Sequence, residues 1–406
     1  MIRRKEYLQR LLLWKDDRVI KVITGLRRCG KSTLLTQFQE ELQSSGVAQT
    51  QIISVNFEEL EYEELLDYRK LYDHLIQRID PGRMNYIFLD EIQRVPSYEK
   101  VVDSLYVKEY IDIYITGSNS YMLSGELATL LAGRYIEIKM LPLSFREFYE
   151  VVGGTAEQAF SEYLKIGGLP YVVTADLRGE KANPYLEGIY NTVIVKDIEE
   201  RQSRRERDPA KRRLSDIALL RSIAKYLASV VGSPVSVRSV ANYLVSNGRS
   251  ISPNTVADYI DALCEAFLFY EAERFDIAGK ELLRTNKKLY MADLGLRSHI
   301  LPKKNYDLGF SVENIVFLEL FRRGCQINIG KLGDAEVDFI ARKESEIVYY
   351  QVTADMTAEA AFVREMRPLK QIRDNYEKIV LTLDRYTPGN YEGIKVINVL
   401  DWLLQT

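Results

Sequence analysis

The sequence predicts an α/β protein whose first part is a parallel sheet covered by helices. Up to about residue 140, short apolar runs rich in β-branched residues alternate with segments of helical period, which is typical of parallel strands joined by helices. The runs are residues 18–24, 51–57, 85–90, 110–117 and 134–140. The chain of 406 residues is 46% hydrophobic, which is enough for a core in each of two or three domains.

The pattern changes after residue 143. Residues 144–200 look helical, with a Gly-Gly-Leu-Pro break, and we assign them to a helical lid. Residues 201–213 read RQSRRERDPAKRR and carry seven basic against two acidic residues, with almost no apolar ones. We interpret this stretch as a solvated linker; the alternative is an arm that contacts phosphates.

The rest of the chain divides into two further segments. Residues 214–304 show three helical segments followed by two β-rich ones, which resembles a winged helix-turn-helix; here Ser252 is predicted to cap a helix that starts at Pro253. Residues 305–406 form a last α/β unit. The predicted parts are therefore residues 1–143, 144–213, 214–304 and 305–406.

Charge and rare residues restrict the function classes. The net charge of −3 indicates no polyanion partner by itself, so a nucleic-acid site would have to be a local patch. Three isolated cysteines and two scattered histidines give neither a disulfide framework nor a zinc site, and we expect a reducing cytoplasm. No signal peptide and no apolar run of about 18 residues is visible, so no membrane span is expected.

A phosphate-binding loop is the most specific motif. Residues 25–32 read GLRRCGKS, which fits G-x-x-x-x-G-K-[ST] between a strand and a helix. Its backbone N–H groups would surround the phosphates of ATP, Lys31 would reach the β- and γ-phosphates, and the Ser32 hydroxyl would ligate Mg²⁺. The side chains of Arg27 and Arg28 should point away from the phosphates. The predicted ATP-binding residues are Gly25, Arg28, Cys29, Gly30, Lys31, Ser32 and Thr33.

Two later strands complete the predicted site. The run YIFLDE ends in Asp90, which would hold Mg²⁺ through water, and Glu91, which would polarise the attacking water. The run YITGSNS ends in a polar tip that would sense the γ-phosphate. Ser118 and Asn119 are both candidates for this role, and the residues alone do not decide between them.

Several motifs together resemble one family. GLRRCGKSTLL, FLDEIQ, ITGSNS, LLAGRY and LPLSFREF are similar to those of prokaryotic AAA-type ATPases with a winged helix and a C-terminal domain related to PD-(D/E)XK nucleases. The likeness covers essentially the whole chain and is most specific in residues 20–150. It implies a ring-forming machine driven by ATP, here expected to be a hexamer that binds DNA. In such a ring, Arg134 would be the arginine finger that reaches the neighbouring subunit's γ-phosphate.

The predicted winged helix has an unusual charge pattern. Its recognition helix, residues 253–266, carries Asp258, Asp261 and Glu265, so reading of base sequence is not expected. Contacts to the DNA backbone would come from basic residues near the wing, namely Lys280, Arg284, Lys287 and Lys288. A winged helix that serves only for packing within the protein is an equal alternative.

The C-terminal unit resembles a nuclease with an incomplete motif. Glu313 and Asp338 match the family's acids, but Gln351 and Thr353 stand where a carboxylate and a lysine belong. An amide is a poorer Mg²⁺ ligand than a carboxylate, so cleavage is not expected, although Glu336 could substitute as a ligand. Phosphate contacts are expected from Arg322, Arg323, Lys331, Arg364, Arg367 and Arg373.

Two classes of function remain open at this point. A DNA-dependent ATPase motor, acting on duplex or branched DNA, agrees with the complete ATPase site and the predicted finger. A nucleotide-gated switch that binds a partner agrees with the acidic recognition helix and the incomplete nuclease motif. An active metal-dependent nuclease is a further alternative. Hydrolysis that rises with DNA would separate the motor from the switch.

Overall fold

The computed structural model describes residues 2–118, 131, 133–177, 181–197, 216–301 and 308–405, without the side chains of 195–197, 284 and 285. Asn119 and the basic segment 201–213 lie outside these ranges. The chain divides into two units: the first is Met1–Pro142 with Glu265–Phe267, and the second is Leu143–Cys264 with Leu268–Thr406.

The first unit contains a five-stranded sheet with helices between its strands. The strands are β1 (Ile20–Thr24), β2 (Ile52–Asn56), β3 (Asn85–Asp90), β4 (Ile111–Gly117) and β5 (Tyr135–Lys139). The helices are α1 (Lys5–Leu13), α2 (Lys31–Ser44), α3 (Tyr68–Ile76) and α4 (Tyr98–Tyr106). All pairings are parallel and the order is β2-β3-β4-β1-β5, so the predicted parallel sheet is confirmed.

The apolar runs of the sequence form the buried strands of this unit, and one buried strand residue is charged. All five residues of β1 are buried, yet the strand contains Lys21. Its ammonium forms an ion pair with Asp112 on β4, and both side chains are almost completely buried. Asp112 also accepts hydrogen bonds from the hydroxyl of Tyr114 at 2.7 Å and from the N–H of Asp16 at 3.0 Å. The central strands are therefore joined by a buried charge pair as well as by apolar packing.

The second unit begins with four helices, as predicted for residues 144–200. They are α5 (Phe145–Val152), α6 (Ala156–Ile166), α7 (Pro170–Thr174) and α8 (Ala182–Asn191). The side chains of Ser144 and Thr155 cap α5 and α6. In the Gly-Gly break after α6, the N–H of Gly168 donates to Asp293 at 2.6 Å, and a Cβ at Gly167 would clash with the same carboxylate. The break is thus fixed by a residue more than 120 positions away.

The remainder of this unit is organised around one nine-stranded sheet. Its helices are α9 (Ile217–Ser229), α10 (Val237–Ser246), α11 (Pro253–Glu265), α12 (Leu294–Ile300), α13 (Leu308–Arg322), α14 (Glu359–Gln371) and α15 (Val399–Leu404). Its strands are β6 (Pro234–Val235), β7 (Phe269–Asp276), β8 (Glu281–Met291), β9 (Gln326–Leu332), β10 (Ala335–Lys343), β11 (Glu346–Thr353), β12 (Glu377–Thr382), β13 (Gly389–Tyr391) and β14 (Ile394–Asn398).

Strand pairing joins the two segments that the sequence suggested as separate domains. The order is β13-β14-β12-β11-β10-β9-β7-β8-β6, and β7 pairs with β9 in parallel. The predicted hairpin is confirmed as the antiparallel pair β10 and β11. The cap of α11 is also confirmed, because the N–H of Thr255 donates to the Ser252 hydroxyl at 3.2 Å. Within the described ranges, no helix is long and apolar enough to cross a membrane.

The buried pair in the first sheet gives a test of the fold. Asp112→Asn should lower the free energy of unfolding by about 3–5 kcal/mol, because Lys21 would keep a buried charge without its carboxylate. Urea unfolding measures this difference. Asp80→Ala is the control, since the pair of Asp80 with Arg83 is partly exposed and should contribute about 1 kcal/mol or less. Equal effects of the two substitutions would contradict the interpretation.

Candidate nucleotide-binding site

The phosphate loop joins β1 to α2 at the carboxyl edge of the first sheet. Gly25 has a φ of 148°, and a Cβ there would lie 2.1 Å from the carbonyl oxygen of Met140, so only glycine fits. Gly30 precedes α2 with a φ of 105° in the left-handed region, which glycine favours. The backbone geometry therefore explains why both positions of the motif are glycine.

Lys31 lies inside the loop at the first turn of α2. It is 4% exposed, and its ammonium donates to the carbonyl oxygens of Gly25 at 3.1 Å and Leu26 at 3.4 Å. The same ammonium is 3.7 Å from a carboxylate oxygen of Glu91. Ser32 and Thr33 follow it in α2. The arrangement places one cation and the first N–H groups of a helix together, which suits a polyphosphate.

Asp90 ends β3 beside the loop. Its carboxylate accepts a hydrogen bond from the hydroxyl of Thr116, and the Ser32 hydroxyl lies close enough to stabilise the same carboxylate. Burial raises the pKa of Asp90, and these two hydroxyls oppose that rise by stabilising the anion. The structure thus brings together Ser32 and Asp90, the two residues predicted to hold Mg²⁺, and their hydroxyl and carboxylate oxygens are ligands of the kind this ion prefers.

Glu91 follows in a left-handed turn with a φ of 55°. Its N–H donates to the Thr116 hydroxyl at 2.9 Å, and its carboxylate accepts from Gln93 and, at 3.2 Å, from the hydroxyl of Ser118. Burial alone would raise the pKa of Glu91, but the charge of Lys31 and the bond from Gln93 outweigh it and lower the pKa. Glu91 is therefore an ionised carboxylate, the form that can accept a proton from water.

The other predicted site residues lie in different places. Ser118 is buried next to Glu91, whereas Asn119 is outside the described residues. Arg134 forms an ion pair with Asp103 and lies over the ring of Tyr106 at 5.3 Å.

The two arginines of the phosphate loop also have separate surroundings. Arg27 donates to Glu58 at 3.0 Å, and Arg28, which is exposed, adopts a φ of 68°.

One buried arginine that supports the loop was not foreseen. Arg4, which is 2% exposed, donates to the carbonyl oxygen of Cys29 at 3.0 Å and to that of Leu141 at 2.9 Å. It therefore ties the phosphate loop to the chain just after β5. No local signal marks Arg4 in the sequence, because its partners are 25 and 137 positions away.

The acids predicted for the C-terminal unit do converge, but around a lysine. Lys288 is 3% exposed, and its ammonium is 3.1 Å from Glu313, 2.8 Å from Glu336 and 3.9 Å from Asp338. The prediction that Lys288 contacts DNA is therefore wrong, because a buried, paired ammonium is not available to a phosphate. Within the described part of the chain, no group of three or more His, Cys, Asp or Glu side chains is arranged to hold a metal.

The residues that depart from the nuclease motif also have internal partners. The amide of Gln351 accepts from the N–H of Asp338 at 3.4 Å and donates to Glu365 at 3.2 Å. The Thr353 hydroxyl donates to the carbonyl oxygen of Asp355 at 3.1 Å.

Other predicted cation contacts vary in exposure. Lys280 is exposed at the turn between β7 and β8, Lys287 pairs with Glu271 at 2.8 Å, and the side chain of Arg284 is outside the description. Arg322 is 4% exposed and pairs with Glu319, so its predicted phosphate contact is wrong. Arg323 pairs with Glu319 and covers the Trp402 ring at 4.1 Å.

The fold and the site of the first unit define an AAA-type P-loop ATPase domain, and comparisons with known proteins agree. The family described as an AAA domain matches residues 17–149, and a family described as a domain of unknown function matches residues 157–307.

Two relatives match this chain over all or nearly all of its length. An uncharacterised protein of Haemophilus influenzae is 42% identical over 412 residues, covering 100% of this chain and 99% of its own. The uncharacterised protein MJ1544 of Methanocaldococcus jannaschii is 30% identical, covering 93% of this chain and 84% of its own. The chain belongs to the family that these two proteins represent. Among solved structures, the Walker-type ATPase PABY2304 of Pyrococcus abyssi has a TM-score of 0.47 at 14% identity, covering 74% of this chain and 96% of that chain.

The site predicts different effects for its cation and its base. Lys31→Ala should weaken ATP binding by roughly 2–5 kcal/mol, because the phosphates lose a buried charged partner. Glu91→Gln should keep ATP binding and slow hydrolysis roughly 10²–10⁴-fold, the usual contribution of a general base. Fluorescent-nucleotide titration and phosphate release measure the two quantities.

The matched control is Glu40→Gln, an equal charge change on the exposed face of α2. It should alter neither binding nor turnover. Hydrolysis by Glu91→Gln at the wild-type rate would show that another group activates the water.

Proposed function

We propose that the protein is an ATP-driven motor that assembles into a ring, as a hexamer, and moves on or remodels DNA. The position of Arg134 is the observation that carries this proposal. Arg134 precedes β5, whose first residue, Tyr135, pairs with Ile20 at the start of β1, whereas the phosphate loop follows the end of that strand. Five residues of strand span about 16 Å, so Arg134 lies at the opposite edge of the sheet from its own phosphate loop.

Such an arginine is suited to serve another subunit. In its own subunit it is paired with Asp103, and both side chains of this pair are about 40% exposed. An exposed guanidinium can be presented to a neighbour's γ-phosphate, where a finger supplied in trans increases hydrolysis by about 10³–10⁵-fold. A ring gives every site such a neighbour, because its interfaces are head to tail.

The order of elements in the second unit supports a role on DNA. The succession α9-β6-α10-α11-β7-β8 resembles that expected of a winged helix, and α13-β9-β10-β11-α14-β12 resembles that expected of a nuclease-like core. The recognition helix would be α11, whose residues Asp258 and Asp261 disfavour a role in the major groove. We therefore infer contacts to the DNA backbone without reading of base sequence.

A basic stripe on α14 is the best source of those contacts. Arg364, Arg367 and Lys370 are exposed at spacings of three residues, and Met366 and Leu369 pack the other face of the helix into the core. We call these three cations the α14 stripe. Lys370 pairs with the exposed Glu392 at 2.9 Å, and an ion pair this exposed is weak and can rearrange toward a phosphate. Arg364 pairs at 2.7 Å with Glu365, which is buried, whereas the side chain of Arg364 itself is largely exposed.

A nucleotide-gated switch is the second candidate function, and the surroundings of Glu91 favour it. Gln93 and Ser118 both hydrogen-bond its carboxylate, so the base is restrained before it can orient water. A protein that rests in this state would turn over slowly until a partner moved Gln93 or Ser118. In the motor, by contrast, binding of DNA should free Glu91 from its hydrogen bonds to Gln93 and Ser118.

Arg134→Ala should keep ATP binding and lose most hydrolysis, because no finger would reach the neighbouring site. Mixed with Lys31→Ala protein, it should regain part of the activity, since each variant supplies the half-site that the other lacks. Phosphate release from the mixture, compared with either variant alone, measures this rescue.

The control for this experiment is Asp103→Ala, which removes the ion pair within the subunit but leaves the arginine in place. It should remain active. Rings that form from the mixture without any rescue, or an equally inactive Asp103→Ala, would contradict a finger acting in trans.

Arg367→Glu in the α14 stripe should weaken DNA binding for all sequences, and the affinity should depend less on salt. Loss of one phosphate contact reduces the steepness with which the logarithm of the DNA-binding constant falls with the logarithm of the salt concentration by about 0.9. Fluorescence anisotropy at several salt concentrations measures this slope. Lys395→Glu on β14 is the control, because it makes the same charge change in the same unit outside the stripe. A change confined to one DNA sequence would contradict backbone binding.

A further inference from the structure

Lys288 connects elements that are distant in the sequence. It lies on β8, while the oxygens around its ammonium come from Glu313 on α13 and from Glu336 and Asp338 on β10. Tyr290, two residues further along the same face of β8, donates its hydroxyl to Glu313 at 2.7 Å. Strand β8 of the predicted winged helix thus supplies the cation for the acids of the C-terminal segment.

The arrangement around this ammonium has the form of a cation site. Three carboxylates from a helix and a strand surround one positive charge, and an ammonium has three donors. The distances of 2.8 and 3.1 Å to Glu336 and Glu313 are those of charged hydrogen bonds, and the third carboxylate, Asp338, is further away at 3.9 Å. A hard divalent ion would need oxygens at about 2.0–2.6 Å. The contacts in the cluster are therefore those of an ammonium and not those of a bound divalent ion.

The residues present do not fit the divalent metal that a nuclease-like site implies. One oxygen of Asp338 accepts from the N–H of Val352 at 2.8 Å, and the amide of Gln351 is held between Asp338 and Glu365. These bonds leave Glu313, Glu336 and one oxygen of Asp338 for a cation, and Lys288 occupies the space among them. An incoming ion would have to displace a buried, charged side chain.

We propose that Lys288 is an internal replacement for the divalent cation, which closes this site to metal and leaves the nuclease-like fold as a structural and DNA-holding element. The proposal rests on the nuclease-like interpretation given above. A carboxylate cluster without a cation would be unstable at this depth, so loss of the metal requires a compensating charge. Lys288 supplies that charge permanently and needs no ion from solution.

The electrostatics of the cluster agree with this role. Burial alone would lower the pKa of Lys288, but the charges of Glu313, Asp338 and Glu336 outweigh it and raise the pKa, so the ammonium stays charged. Burial raises the pKa of both Glu313 and Asp338, and Lys288 opposes that rise. The lysine and the acids therefore each favour the charged form of the other.

The test is to remove the internal cation and supply a metal. Lys288→Ser should create a site for Mn²⁺, measured on the full chain without ATP or DNA by loss of the free-ion signal in electron paramagnetic resonance. The wild-type protein should bind no Mn²⁺ at this cluster. At about ten times its dissociation constant, Mn²⁺ should raise the unfolding midpoint of Lys288→Ser by about 2–4 °C and leave that of the wild type unchanged.

Two controls assign the signal to this cluster. Lys287→Ser removes the neighbouring, partly exposed lysine and should gain no Mn²⁺. Asp338→Asn added to Lys288→Ser should abolish the new binding, which separates this cluster from Ser32 and Asp90. Because neither ATP nor DNA is present, the result is independent of whether the protein is a motor.

Manganese binding and folding of the variants decide for or against this replacement. Mn²⁺ bound by the wild type and lost in Asp338→Asn would show an open metal site. Lys288→Gln provides a second variant in case Lys288→Ser folds poorly. Folding of either variant only with Mn²⁺ supports the proposal. Folded variants without Mn²⁺ binding, or failure of both to fold with or without Mn²⁺, would show that Lys288 makes a structural ion pair and has not replaced a metal.

Discussion

The hydroxyl of Thr116 holds the acidic half of the nucleotide site together. It donates to Asp90 and accepts from the N–H of Glu91, so from β4 it fixes both acids at the end of the adjacent parallel strand β3. This geometry turns the chain into the left-handed conformation at Glu91 and directs its carboxylate toward Lys31. Lys31, the acid proposed to hold Mg²⁺ and the proposed base then occupy one edge of the sheet, as the chemistry of ATP hydrolysis requires.

The same sheet depends on a second polar contact at its other end. Lys21 and Asp112 join β1 to β4 near the amino-terminal edge, and the phosphate loop follows β1 at the carboxyl edge. Charge pairs buried inside the protein recur in the second unit, where Lys288 connects β8 to α13 and β10. In both units a lysine within a strand stabilises acids that lie far away in the sequence, and this positions the surrounding elements.

The sequence predicted the features that depend on local pattern. The five strands of the first unit, the phosphate loop, the acids that end β3 and the hairpin of β10 and β11 all follow from short motifs or periodicity. What it missed depends on contacts over long separations. Arg4 contacts Leu141, which is 137 positions away in the sequence. Lys288 lies near the predicted wing and was therefore expected to be exposed, but three carboxylates that are distant in the sequence surround it. The pairing of β7 with β9, which joins two predicted domains in one sheet, has no local signal either.

We propose that ATP hydrolysis in the first unit is coupled to DNA bound by the second. The most direct measurement is the steady-state rate of phosphate release by the wild-type protein with and without duplex or branched DNA, with Glu91→Gln as the background. For a DNA-dependent motor, this rate should rise several-fold with DNA and return to the basal value as salt weakens the backbone contacts. A rate that stays at the basal value while DNA is demonstrably bound would contradict the motor and favour the nucleotide-gated switch.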